Sequence, residues 1–199
     1  MSTAALSAHD DTAAHDKQQR MSVFGMTIFL ASEAMLFAGL IAGYVVLRLS
    51  SPAWPPSANL PALPVVLTGI NTVFLITSSF TYHAAEVAVK KGRKGTLWLA
   101  ATVFLGSLFL GIQTYEWYHM YSEGLWFNTG GAYGATFFVL TGFHGLHVLI
   151  GVLMIAWALI RQLGGAYTAK NHTYLVLTGM YWHFVDVVWL LLFTVVYLW

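Results

Sequence analysis

Two histidine-bearing pairs and two lone glutamates are the side chains of this sequence best placed to do chemistry. His144 and His147 stand in Thr-Gly-Phe-His-Gly-Leu-His-Val, and their spacing puts both on one face of a helix. Such imidazoles could ligate a metal or a haem. A haem held between helices, however, takes its axial ligands from opposite sides, and metal sites usually need a third or fourth ligand. Gly142 and Gly145 beside them favour a face that another backbone approaches closely. Interhelical hydrogen bonding is therefore the preferred reading over ligation. His183 and Asp186, in Tyr-Trp-His-Phe-Val-Asp-Val-Val-Trp, repeat the spacing; they can pair with each other or share a site with a neighbouring helix.

Glu33, in Ser-Glu-Ala-Met, has Ala31 and Met35 beside it and is expected to face the protein interior. It reads either as a structural acid bonded to a neighbouring helix or as a proton-linked or lipid-linked group. Depth alone places Glu33, His183 and Asp186 at one level, where all three could meet. Glu116, in Gln-Thr-Tyr-Glu-Trp-Tyr-His, falls near the outer boundary with Gln113 on its face, and His83 and Glu86 sit at the inner end of their helix. Both of these read as anchoring or packing. No Ser–His–Asp arrangement, phosphate-binding glycine loop or four-ligand metal set is present. The expectation is no catalytic residue, no metal and no cofactor bound by this chain, and a helper role inside a larger membrane complex.

The elements that position these groups follow from composition. Of 199 residues, 58% are hydrophobic and 9% charged, and the net charge is +1; soluble domains run at about 45–50% apolar and about 25% charged. That balance excludes a soluble domain and intrinsic disorder, and it removes the electrostatic basis for nucleic-acid binding. With no cysteine, disulfides, thiolate metal sites and cysteine nucleophiles are excluded as well.

What remains is an all-α membrane protein with five transmembrane helices, over about 23–49, 64–89, 96–121, 132–160 and 174–198. Each stretch is long enough to cross roughly 30 Å of hydrocarbon, and helices are required because lipid cannot satisfy open backbone groups. Prolines and glycine pairs punctuate the breaks. Residues 1–20 are polar and read as a disordered cytoplasmic tail, ahead of a transmembrane domain over 21–199. Lys17, Arg20, Lys90, Lys91, Arg93, Lys94, Arg161 and Lys170 fall on one side and only Arg48 on the other. The positive-inside rule then puts the N-terminus in the cytoplasm and the C-terminus outside. The run Lys90–Lys94 is read as obeying that rule rather than as a specific lipid site. Trp54, Trp126 and Trp199 mark the outer aromatic belt.

These segments carry a family resemblance. Thr-Gly-Phe-His-Gly-Leu-His-Val at 141–148 and Tyr-Trp-His-Phe-Val-Asp-Val-Val-Trp at 181–189 resemble the signature segments of haem–copper oxidase subunit III. So do Ser-Glu-Ala-Met-Leu-Phe-Ala-Gly at 32–39, Trp-Pro-Pro at 54–56 and Gln-Thr-Tyr-Glu-Trp-Tyr at 113–118, in the family's order. The likeness is to the short bacterial form with five helices. It implies a non-redox accessory subunit of a proton-pumping terminal oxidase, cytochrome c oxidase type, in a bacterial plasma membrane. Haem and copper would lie in partner subunits, with subunit I packed directly against this chain and subunit II receiving electrons. Structural phospholipids and support of proton uptake are implied too. Glu33 matches the family's buried carbodiimide-reactive glutamate, and Glu116, His144, His147, His183 and Asp186 match its characteristic polar positions.

Competing readings are a quinol oxidase subunit III and an accessory subunit of nitric oxide reductase. Further off lie a stand-alone transporter or proton channel, and a b-type haem protein using His144 and His147. The chain shows no internal repeat, which weighs against a transporter.

Overall fold

The computed structural model describes residues 3–57, 60–169 and 171–199, with side chains from residue 17 onward. Five helices carry the chain: α1 Thr3–Ser50, α2 Val65–Lys90, α3 Thr96–Ser122, α4 Ala132–Leu163 and α5 Thr173–Leu192. All five are long and apolar enough to cross a membrane, and no strand occurs among the described residues. The backbone beyond α5 widens into a π-helical segment, Phe193–Leu198, sealed by the Trp199 N–H donating to the Thr194 carbonyl.

The disordered tail expected over residues 1–20 differs from the structure, in which α1 is helical from Thr3. Ala4, Ala5, Ala8, Ala13, Ala14, Lys17, Gln18, Gln19 and Arg20 are strong helix formers. A segment too polar to bury can still extend a helix already nucleated in the bilayer.

Helices α2, α3, α4 and α5 pack in a closed ring, α2 on α3, α3 on α4, α4 on α5 and α5 back on α2, and α1 lies outside against α4 and α5. α1 buries a narrow stripe, in which Phe37 and Tyr44 are sealed and Met26, Leu30 and Ile41 pack on the core. The rest of its surface faces outward. Arg48 near its end donates to Tyr44 Oη at 2.9 Å and to the Trp199 carbonyl, and its guanidinium lies 4.7 Å over the Trp199 ring. That end is also where Trp54 stands edge-on to Tyr44 and Tyr133.

The ring has an apolar core laced with polar groups; lipid offers no hydrophobic drive between helices, so packing and hydrogen bonds must supply it. α2 turns Thr68, Asn71, Thr72 and Ser78 inward. Trp182 of α5 is the keystone. Its Nε1 donates to Ser78 on α2 at 3.1 Å, and its ring lies against Gly106 on α3 and Gly151 on α4 so closely that neither position has room for a Cβ. Seven residues further on, Trp189 Nε1 donates to Thr72 at 2.9 Å.

Candidate functional site

Glu33 and His147 meet on the seam between α1 and α4. His147 Nε2 stands 3.1 Å from Glu33 Oε2, with side chains 10% and 20% exposed. On the other side of the ring, His147 Nδ1 is 2.6 Å from the Phe143 carbonyl. A carbonyl only accepts, so Nδ1 carries a hydrogen and Nε2 is left for the acid. The contact then holds one proton in either of two forms, carboxylic acid with imidazole or carboxylate with imidazolium. Both forms are neutral as a pair, and a neutral pair is the inexpensive way to keep ionisable groups within a membrane. Phe37 closes edge-on at 5.0 Å, Tyr181 lies parallel at 6.4 Å, and the Tyr181 hydroxyl donates to the His147 carbonyl at 3.1 Å.

The meeting of Glu33 with His183 and Asp186 at one level does not occur, because α1 presents Glu33 to α4. His183 instead turns to α2, where its Nδ1 lies 3.3 Å from Ser79 Oγ and its ring stands edge-on to Tyr82. Asp186 is 8% exposed, and its Oδ1 finds no donor among the described residues. The two groups face the same helix without bonding each other. At the end of this seam Glu86 holds Lys90 at 2.6 Å.

His144 corrects a second expectation. It is fully buried, but neither ring nitrogen has a hydrogen-bond partner among the described residues. Its ring stacks on Trp189 at 4.7 Å and meets Phe109 edge-on at 5.9 Å. The two histidines of one face thus differ: His147 bonds across to another helix, and His144 packs as an aromatic. Gly142 and Gly145 also act differently from expectation, admitting the side chains of Trp117 and Gln113 rather than a backbone.

Of the two readings, anchoring or packing, Glu116 takes the second: it is a sealed acid, 1% exposed. Its Oε1 accepts from Tyr197 at 2.8 Å and from Thr68 at 3.2 Å, joining α3 to α2 and to the π-helical segment. Gln113 is buried on the same face, and its amide donates to the Thr141 carbonyl at 2.8 Å.

Tyr197, Tyr181, Thr68 and Ser79 were absent from the residues singled out by sequence. The recurrence of Thr68, Thr72, Ser78, Ser79 and Tyr82 along one side of α2 is the signal that could have found two of them. Among the described residues no three His, Asp or Glu side chains converge as a metal site would need. The arrangement can hold a proton between Glu33 and His147 and can tie helices together.

Over residues 6–199 the chain matches the family described as cytochrome c oxidase subunit III. It is similar to a cytochrome c oxidase subunit 3 of Synechocystis sp., 40% identical over 187 residues, covering 92% of this chain and 78% of the relative. A protein of the same name from Thermostichus vulcanus is 42% identical over 179 residues, 88% of this chain and 86% of the relative. A cytochrome bo(3) ubiquinol oxidase subunit 3 from Pseudomonas aeruginosa is 37% identical over 192 residues, 96% of this chain and 90% of the relative.

Proposed function

We propose that this chain, which belongs to the cytochrome c oxidase subunit III family, steadies the catalytic subunit of its oxidase through the Glu33–His147 seam. As a subunit III it is an accessory component of a multi-subunit haem–copper terminal oxidase in the respiratory chain, and a multi-pass membrane protein. The finer reading has four parts. The chain packs on subunit I beside subunit II, and haem and copper reside in those partners. It holds phospholipid along the outer face of α1, and it supports proton uptake. Its N-terminus lies in the cytoplasm of a bacterial cell, with the helices in the plasma membrane.

One observation carries this reading. The Glu33–His147 contact is ionisable, within two membrane-spanning helices, and only partly covered by the chain itself, at 10% and 20% side-chain exposure. A pair so placed needs a further cover, which lipid headgroups or a neighbouring subunit would provide. The aromatic packing of His144 and the engagement of both His147 nitrogens speak for redox chemistry residing in the partners. A Glu33→Gln oxidase should lose bound lipid, inactivate sooner during turnover and take up protons more slowly. Unchanged lipid content, turnover lifetime and proton uptake would refute the role.

A second reading concerns the electron donor. The match to a ubiquinol oxidase subunit 3 covers 96% of this chain, which favours quinol as much as the other matches favour cytochrome c. Oxidation of one donor and not the other by the purified complex decides between them.

A further inference from the structure

We propose that the recess between the α2–α3 turn and the α4–α5 loop, flanked by Arg93, Lys94 and Gln162, binds a phosphate group. The recess measures about 260 Å³, ample for one phosphate with a small substituent, given that a liquid water occupies about 30 Å³. Two glycines with positive φ shape it, Gly92 at 72° and Gly165 at 73°. The first lets the chain reverse so that Arg93 N–H caps the Ala88 carbonyl of α2. The second does the same for α4, where Ala166 N–H caps the Arg161 carbonyl. Both loops thus fold tightly back on their helix ends, and the space between them remains open.

The lining is chemically one-sided. Arg93 and Lys94 bring positive charge, Tyr167 and Thr168 bring hydroxyls, and no carboxylate lines the recess. Neither base has an ion-pair partner among the described residues; the nearest acid along the chain, Glu86, is engaged by Lys90. Thr168 Oγ1 accepts from the Asn171 N–H at 3.2 Å, which leaves its hydroxyl hydrogen to donate elsewhere. A loop that served only as a topology signal would need charge and nothing more. Here a buried amide is added: Gln162 is 5% exposed, and its Oε1 has no partner among the described residues. A buried polar atom left unpaired is costly, and an uncommitted amide beside two cations is what a ligand with both acceptor and hydroxyl would engage.

Phosphate has that chemistry. Its oxygens suit the fork of an arginine and the point charge of a lysine, and a P–OH hydrogen, or a hydroxyl on the substituent, can donate to the Gln162 amide oxygen. The recess also sits at the ends of membrane-spanning helices, at the level of lipid headgroups. Phosphate can arrive there as a free anion or on an anionic phospholipid.

The test uses the assembled oxidase carrying the full chain, with single variants Arg93→Gln, Lys94→Gln and Gln162→Leu. Lys91→Gln, on the same turn but outside the recess, is the charge control. In one arm inorganic phosphate is titrated calorimetrically into delipidated complex. In the other, native mass spectrometry reads phosphatidylglycerol retained from phosphatidylcholine nanodiscs doped with it. Recess variants should bind roughly tenfold more weakly, the loss of one charge-assisted hydrogen bond, while Lys91→Gln stays close to the unmodified complex. Loss in the first arm assigns free phosphate, and loss confined to the second assigns the headgroup. Absence of binding in both arms, or equal losses in Lys91→Gln and the recess variants, overturns the proposal. Gln162→Leu leaves the charge untouched, so its loss separates a built site from a diffuse positive field.

Discussion

Replacing Gly151 with alanine puts a methyl where the ring of Trp182 already lies. The new Cβ would come within 2.6 Å of Cε3 and 2.7 Å of Cζ3, whereas ordinary contact begins near 3.4 Å. The ring must back away by most of an ångström, and it has nowhere to go. On its far side a Cβ at Gly106 would already stand 2.9 Å from Cη2, and Nε1 is tethered to Ser78 at 3.1 Å. Overpacking of this kind costs about 1–3 kcal/mol, and loss of the tether adds about 1 kcal/mol. Gly151→Ala should therefore destabilise the chain by about 2–4 kcal/mol. At about 2–4 °C per kcal/mol for a chain of this size, the thermal midpoint in dodecyl maltoside should fall by roughly 4–16 °C. Trp182→Phe removes the very atoms that clash, so in that background Gly151→Ala should cost less than about 1 kcal/mol, a coupling typical of contacting residues. An unchanged midpoint for Gly151→Ala, or the same loss in both backgrounds, would refute the keystone role.

Tyr197→Phe should cost about 1–3 kcal/mol by leaving buried Glu116 with Thr68 alone, and combined with Thr68→Val the loss should exceed the sum of the two, read as thermal midpoints. Because the native chain has no cysteine, Lys91→Cys and Glu123→Cys report orientation directly. An impermeant maleimide applied to spheroplasts should label position 123 at once and position 91 only after permeabilisation; the reverse pattern overturns a cytoplasmic N-terminus.

Helix number was legible because hydropathy averages over whole spans, and lipid leaves the backbone one solution. Partnership was less so. Residue counts give depth along a helix but neither its rotation nor its neighbours, so Glu33 could be levelled with His183 although α1 presents it to His147. The pair His144 and His147 shows the same limit at shorter range. They share a face, but only the turn bearing His147 reaches α1, and the other meets the indole of Trp189. Ser and Thr on α2 were overlooked because hydropathy treats them as neutral, although their hydroxyls receive the Trp182 and Trp189 donors. The π-helical segment left no mark at all. Phe-Thr-Val-Val-Tyr-Leu is as apolar as an α-helical turn, and what distinguishes it is the bond from Tyr197 to Glu116, a contact across 81 positions.

That dependence on α5 sets an order of events during synthesis, when helices enter the membrane in sequence. Thr72 and Ser78 arrive with α2, Glu116 with α3 and the notch at Gly151 with α4, but the groups that complete them, Trp189, Tyr197 and Trp182, all come after residue 173. A bundle paused before that point carries an open cleft in which Thr72 and Ser78 lack their indole donors and Glu116 is held by Thr68 alone. Arrival of α5 closes the cleft in one step, so the chain itself distinguishes a finished product from a stalled one.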